Sequence, residues 1–256
     1  SLRALDLLKK ADLIACEDTR VTRKLLSAYG IKTSTVSYHD HNADSRRPQI
    51  MNALQDGKRV ALVSDAGTPL ISDPGYKLAR EAIAGGYYVT ALPGASSVLA
   101  ALCLSGLPME RFFFAGFLPA KAEALKKEIA SLAAIPGALV FFESVKRLGK
   151  TLVALETGLG NRPAAVLREL TKLHEEAQRA PLSELCAHYE KAGAKGEVVI
   201  VVGAPLKKET SSETLETQLE LLLKSHSVKE AAAILAEQTG KPRKEIYALA
   251  LSLRGR

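Results

Sequence analysis

The sequence predicts an α/β protein: two α/β domains followed by a small C-terminal helical unit. Three observations carry that reading. Short apolar runs of strand length alternate with segments of helical periodicity from residue 2 to about residue 202. Run after run ends in a polar or glycine-rich tip that opens onto a helix. After residue 206 the alternation stops and only helical patterns remain. The expected divisions are residues 1–117, 118–206 and 207–256, a length that can bury more than one core.

Residues 2–10 read as a helix with Leu2, Leu5 and Leu8 on one side. The strand Leu13–Cys16 runs straight into Glu17, Asp18, Thr19 and Arg20. Thr19 fits an N-cap or a functional contact equally well, whereas Asp18 and Arg20 read as functional. The helix that follows would bury Leu25 and Leu26. Residues 34–38 form the next strand and end in His39, Asp40, His41 and Asn42. Two histidines at i and i+2 with one aspartate are a weak metal signal, so substrate contact or loop hydrogen bonding is the better reading, and no metal centre is expected. A helix begins at Asn42 or Asp44 and reaches Gln55.

The central stretch is residues 59–75, RVALVSDAGTPLISDPG. Its apolar run, residues 60–63, has the pattern of a strand buried on both faces of a parallel sheet. The chain then breaks into Ser64, Asp65, Ala66, Gly67, Thr68 and Pro69. Ser72 or Asp73 would cap the next helix, with Pro74 in its first turn. This loop is either a ligand site or an ordinary strand-to-helix turn. Residues 87–92 read as a further strand, ending in Pro93, Gly94, Ala95, Ser96 and Ser97 before a mostly buried helix carrying Val98, Leu99, Ala101, Leu102 and Leu104.

Residues 112–117 are a strand, and residues 118–120 look like a hinge. The second α/β region then runs helix 121–132, strand 138–142 with Glu143 and Ser144 at its end, and an amphipathic helix including Val145, Leu148, Leu152, Val153 and Leu155. Strand 164–167 leads into Arg168-Glu169-Leu170-Thr171-Lys172, and helix 183–191 precedes strand 198–202, giving a domain of similar build to the first. Residues 207–214 read as a polar linker. Helical segments follow at about 214–224, 228–238 and 242–253, the last two joined by a turn at Gly240. That pair fits a helix-turn-helix with a basic second helix, or a helical cap or dimerisation element.

Thirty-five basic residues against 28 acidic give a net charge of +7, which favours an anionic partner. The excess is diffuse, but residues 241–256 hold Lys241, Arg243, Lys244, Arg254 and Arg256 against Glu245 alone. Tryptophan is absent and aromatics are sparse, so no stacking platform for single strands is advertised. Cys16, Cys103 and Cys186 form no CxxC pair and read as small buried residues of a reducing compartment. The apolar runs are too short to span a bilayer and no secretory signal opens the chain, so a cytoplasmic location is expected.

ACEDTR at 15–20, HDHN at 39–42, VSDAGTPLISDPG at 63–75, LPGASS at 92–97, GFLPAK at 116–121, FFES at 141–144, LRELTK at 167–172 and KGEVVIVV at 195–202 occur in this order. With these segments the chain resembles, over essentially its whole length, the 16S ribosomal RNA 2′-O-ribose methyltransferase I family, a branch of the tetrapyrrole (corrin/porphyrin) methylase superfamily. The resemblance implies two α/β domains with S-adenosylmethionine in the cleft between them. It implies methylation of a cytidine ribose 2′-hydroxyl in the decoding region of 16S rRNA, within the 30S subunit, by a homodimer. Asp65, Ala66, Gly67, Thr68, Ser96 and Ser97 would line the cofactor, joined from the second domain by Phe142, Leu167 and Glu197. The clusters from Glu17 to Arg20 and from His39 to Asn42 would lie on the RNA side. Members of that family begin with an additional strand and a PIGN-type turn before the first helix. This sequence starts at the helix, so either it is trimmed or an N-terminal piece is absent, and an element of the sheet and cofactor cleft is expected to be missing from it.

A ribose hydroxyl is a poor nucleophile at neutral pH, so a general base is expected among Asp18, Glu143 and Glu169, all at strand ends. Arg20 and Arg168 would hold flanking phosphates, with Lys241, Arg243 and Lys244 adding a basic surface. For each of these charges a structural ion pair is the competing reading. Two other functions compete. A tetrapyrrole C-methylase would share the cofactor cleft but needs no appended basic helices. A non-catalytic RNA-binding assembly protein would not need the cofactor-type loops.

Overall fold

Four consecutive apolar residues, Leu13–Cys16, form β1, the middle strand of a three-stranded parallel sheet ordered β2-β1-β3. The computed structural model describes residues 1–191, 196–206 and 212–254, which fall into two compact units, Ser1–Pro205 and Leu206–Arg256. Helix α1 (Leu2–Lys10) starts at Ser1, whose hydroxyl accepts from the Ala4 amide at 3.3 Å. Between β1 and β2 (Thr35–Ser37) lies α2 (Thr19–Ala28), and between β2 and β3 (Val60–Val63) lies α3 (Ala43–Gln55). Helices α4 (Tyr76–Ala84) and α5 (Ser97–Ser105) follow.

Within this sheet only β1 is buried on both faces, as the central strand of a small sheet must be. The expectation of a fully buried strand at Val60–Val63 is corrected: β3 pairs with β1 alone, and all four of its residues are partly exposed. The expected strand at residues 87–92 is corrected too. Residues 87–96 are irregular, with Tyr88 90% exposed. Its β-branched and aromatic residues satisfy the local pattern, but a strand exists only where a neighbouring ladder pairs with it. Exposed Leu25, Leu99 and Val153 also depart from the expected apolar faces, and Cys103 is exposed where burial was expected.

The second sheet has five strands in the order β4-β5-β8-β6-β7. These are β4 (Phe112–Phe117), β5 (Ala138–Ser144), β6 (Pro163–Arg168), β7 (Glu176–Pro181) and β8 (Glu197–Val202), with helices α6 (Ala122–Leu132), α7 (Leu148–Leu159) and α8 (Leu182–Lys191) between them. Only β4 and β5 are parallel, whereas β8 runs antiparallel to both β5 and β6. The second region is therefore a mixed sheet, not a copy of the first. Strand β7 causes the change: its polar sequence EAQRAP pairs antiparallel with β6 and returns the chain to the opposite end of the sheet.

The apolar run of β8 has a two-sided explanation. Val198, Ile200 and Val202 pack with α6, α7 and α8, while Val199 and Val201 pack with Val98, Ala101 and Leu102 of α5. Helix α5 thus covers one face of the second sheet although it follows the first in sequence. Arg162, 4% exposed, ties three ends together by donating to the carbonyls of Leu159, Gly203 and Ala133.

The C-terminal unit holds α9 (Ser212–Leu223), α10 (Val228–Thr239) and α11 (Arg243–Arg254) around Leu215, Leu219, Ala231, Ala232, Leu235, Ile246 and Ala250. Ser227 and Glu230 form a capping box on α10. Of the expected linker at 207–214, residues 207–211 lie outside the described residues, and α9 already begins at Ser212. Among the described residues no helix is long and apolar enough to cross a membrane.

Candidate functional site

Parallel strands deliver their carboxyl ends to one edge of a sheet, and here that edge collects the motif residues. Asp18, immediately past β1 and Glu17, is the N-cap of α2, which settles the place of Thr19 as the first helical residue. The Asp18 carboxylate accepts from the Arg20 amide at 2.7 Å, and the Arg20 guanidinium folds back onto it at 2.7–3.1 Å. That guanidinium first, and the Arg20 amide second, hold the Asp18 carboxyl down at about 2. A carboxyl held low stabilises the fold above its ordinary range near pH 4 and loses that contribution as pH falls through about 2. Asp18→Ala is therefore expected to lower Tm at pH 7. Its gap from the parent should narrow below about pH 4 in thermal melts, and a constant gap would remove Asp18 from this role.

After β2, Asn42 organises the turn. Its side chain accepts from the His39 amide at 2.9 Å and donates to the Ser37 carbonyl at 3.2 Å, while its backbone caps α3. Asn42 therefore holds the loop itself. The His39 and His41 rings lie edge-on with centroids 6.0 Å apart, and His39 Nδ1 is buried with no hydrogen-bond partner. Glu17, Asp18, Thr19, Arg20, Ser37 and His39 line a cavity of about 280 Å³. A groove of about 330 Å³ between α3 and α4 carries no strand-tip residue, and its Arg47 is already paired with Asp44 and Glu81.

The loop after β3 is joined to both neighbours. The Asp65 carboxylate accepts from the Asp18 amide at 3.2 Å, and Thr68 Oγ1 donates to the Ala95 carbonyl at 2.9 Å. Asp65, Ala66, Gly67, Thr68 and Ser97 are exposed, and Ser96 caps α5 by accepting from the Leu99 amide. Gly67 has φ +71°, and a Cβ added there would meet nothing within 4 Å. The two small-residue loops therefore present open backbone, as a bound nucleoside-type ligand needs. A Cβ on Gly116 of β4 would stand 3.7 Å from Ser72 Oγ, so the loop after β3 also approaches the second sheet.

The cap of α4 is Gly75, not Ser72 or Asp73, because the chain passes through left-handed backbone at Leu70 and Ser72 and reaches φ +134° at Gly75. A Cβ there would sit 2.5 Å from Leu62 Cδ2 and 2.9 Å from Leu70 Cδ1. Gly75→Val is expected to cost about 1–3 kcal/mol through backbone strain. Thermal unfolding should register it as a Tm lower by roughly 2–10 °C, and an unchanged Tm would contradict the packing.

From the second sheet, Phe142 stacks edge-on with Phe114 at 4.8 Å and Phe117 at 5.5 Å and stays partly exposed. Leu167 is fully buried against α5 and sits in the ladder between β7 and β8, so it belongs to the core and not to an exposed cofactor wall. Glu169 accepts from the Glu197 amide at 2.8 Å and pairs with Lys172, which also reaches Glu197 at 3.1 Å. Those contacts, the Glu197 amide foremost, lower the Glu169 carboxyl. Glu143 is buried, accepting from the Ser144 amide at 2.7 Å and Thr151 Oγ1 at 2.5 Å. Arg168 pairs with Glu176 of β7. Lys241, Arg243 and Lys244 are all exposed in the C-terminal unit.

Sequence reasoning placed Glu17 in the RNA-side cluster but not among the candidate bases. Its carboxyl is raised by burial first, then by the neighbouring carboxylates Asp65 and Asp73, while the Asp65 amide partly offsets them. Asp73 is raised as well, mainly by burial. The available signal was its place as the first charged residue after the fully apolar central strand.

Residues 1–186 match the family model described as Tetrapyrrole (Corrin/Porphyrin) Methylases, and residues 209–254 match one described as RsmI C-terminal HTH domain. The chain is 46% identical to the ribosomal RNA small subunit methyltransferase I of Mesorhizobium japonicum over 99% of its own length and 87% of the relative's. The protein of the same name from Rickettsia prowazekii is 39% identical over 97% of this chain and 90% of that one. Among solved structures, a cobalt precorrin-4 methyltransferase superposes with a TM-score of 0.59 at 16% identity, covering 79% of this chain and 88% of that one. Uroporphyrin-III C-methyltransferase from Thermus thermophilus, complexed with S-adenosyl homocysteine, gives 0.54 at 20% identity, covering 79% and 90%.

Proposed function

The chain belongs to the tetrapyrrole methylase family, in the branch of the ribosomal RNA small subunit methyltransferases I, and we propose that it methylates the ribose 2′-hydroxyl of a cytidine in the decoding region of 16S rRNA with S-adenosylmethionine. The observation that carries the reading is the pair of exposed small-residue loops, 65–68 and 93–97, tied together at Thr68 and Ala95 beside a cavity lined by charged strand tips. S-adenosylmethionine supplies a methyl group activated by a positive sulfur that becomes neutral on transfer.

The chain's own residues then have separable tasks. Asp65, Ala66, Gly67 and Thr68 with Ser96 and Ser97 hold the cofactor through backbone groups and short side chains. Phe142 and Glu197 approach from the second sheet, so the lobes 1–117 and 118–206 act as the two walls of one cleft. Arg20 and His39 face the RNA, and positioning of the acceptor hydroxyl provides much of the acceleration. Arg168 and Lys172, already paired with acidic neighbours, contribute shape to the tip of β6. The exposed cations of α11 add sequence-independent attraction to phosphates. The same reading places the working enzyme in the cytoplasm as a homodimer acting on the assembled 30S subunit.

The rival tetrapyrrole C-methylase reading draws on the solved structures that share the fold. Incubation with methyl-labelled S-adenosylmethionine and 30S particles, naked 16S rRNA or a precorrin separates them. Label in the RNA of 30S particles is expected, and label in the tetrapyrrole alone would overturn the reading.

A further inference from the structure

We propose that Glu17, at the tip of the central strand β1, is the base that takes the proton of the attacking ribose hydroxyl. This rests on the methyl-transfer reading above and adds to it the identity of the proton acceptor. The other acidic candidates are already committed: Asp18 to Arg20 and the N-terminus of α2, Glu143 to Ser144 and Thr151 in the core, Glu169 to Lys172 and the Glu197 amide. Glu17 enters no ion pair among the described residues, yet it lines the cavity with Thr19, Ser37 and His39.

Its surroundings favour a base over a spectator. The groups facing it are Asp65 and Asp73 from the loop after β3, Asp40 and His39 from the turn after β2, and Asp18 with Arg20 on its own strand end. Burial and the carboxylates of Asp65 and Asp73 raise its affinity for a proton, which is the direction a general base needs. His39 lines the same cavity. Its Nδ1 is buried without a hydrogen-bond partner. Asp65 connects the base to the cofactor loop, since its amide donates to Glu17 and its carboxylate accepts from Asp18.

The step balances. The hydroxyl oxygen forms the new O–CH₃ bond as the S–CH₃ bond breaks, and that bond's electron pair stays on the sulfur, which becomes neutral. The hydroxyl proton passes to the Glu17 carboxylate and from there to solvent.

The test compares Glu17→Gln, Glu17→Asp and Asp18→Asn on 30S substrate, with S-adenosylmethionine affinity by calorimetry and Tm against pH. General-base catalysis is worth about 10²–10⁴-fold, so Glu17→Gln should lose at least 100-fold in kcat, with S-adenosylmethionine Kd within threefold of the parent. Glu17→Asp should recover part of the rate. A carboxyl raised in the folded state withdraws stability as pH climbs through its value, so the Tm of Glu17→Gln at pH 7 should equal or exceed the parent's, the difference closing below about pH 4. A kcat within threefold of the parent, a tenfold loss of cofactor affinity, or a larger kcat loss in Asp18→Asn would each overturn the assignment. Failure of the parent protein to label RNA at all would instead strike the functional reading, leaving the Tm comparison to report on Glu17.

Discussion

Replacing Gly67 with valine is expected to weaken S-adenosylmethionine binding at least 100-fold while the protein stays folded. The backbone there stands at φ +71°, where a β-branched residue is strained by about 1–2 kcal/mol. That strain alone lowers Tm by a few degrees. The larger effect comes from where the side chain goes: no heavy atom lies within 4 Å of the added Cβ, so nothing of the protein clashes. The new methyl groups instead stand in open space between exposed Ala66 and Thr68, where the ligand must approach the backbone. A 100-fold loss is about 2.7 kcal/mol of binding. Asp65→Ala is expected to act in the same direction, since it removes the acceptor that ties the β3 loop to the Asp18 amide. Calorimetry on the folded variants, with circular dichroism as the control, reads both effects. Unchanged affinity in Gly67→Val would remove this loop from the cofactor site.

The second large effect belongs to the C-terminal unit. Neutralising Lys241, Arg243 and Lys244 together should reduce the slope of log affinity for RNA against log salt by about 2, taking about 0.7 per phosphate contact on single-stranded RNA. All three side chains are exposed, and α11 keeps Ile246 and Ala250 in its core, so the unit should remain helical. Among the described residues, the side-chain hydrogen bond lost is one of 3.4 Å from Arg243 to the Lys229 carbonyl. Filter binding across a salt series gives the slope directly. A slope equal to the parent's would take these cations out of the RNA footprint.

Much of the architecture was legible because its strands announce themselves locally. Residues 13–16, 138–142 and 198–202 are apolar runs of buried character, and the structure places the strand built on each inside its sheet. What depended on partners was not legible. Residues 87–92 have the composition of a strand and pair with nothing, whereas the polar β7 has no strand signal and is held by its ladder with β6. The cap of α4 fell on Gly75 for a similar reason: backbone signs at Leu70 and Ser72 override the capping preference of the side chains.

At the site, the motifs marked the right tips but not the state of each group. Asp18 and Arg20 read in the sequence as a candidate base and a phosphate contact, and are locked onto each other in the fold. Glu143 and Leu167 lie in matching segments, yet both side chains belong to the interior. The Asp18–Arg20 pair spans only two positions, whereas the burial of Glu143 and Leu167 depends on elements far along the chain that no local pattern carries.

Nucleoside analysis of the modified RNA tests the central claim most directly. After incubation of 30S subunits with methyl-labelled S-adenosylmethionine, complete digestion should release the label as 2′-O-methylcytidine. Label recovered on a base, or on a different ribose, would contradict the assignment of the strand-tip cavity to a cytidine 2′-hydroxyl.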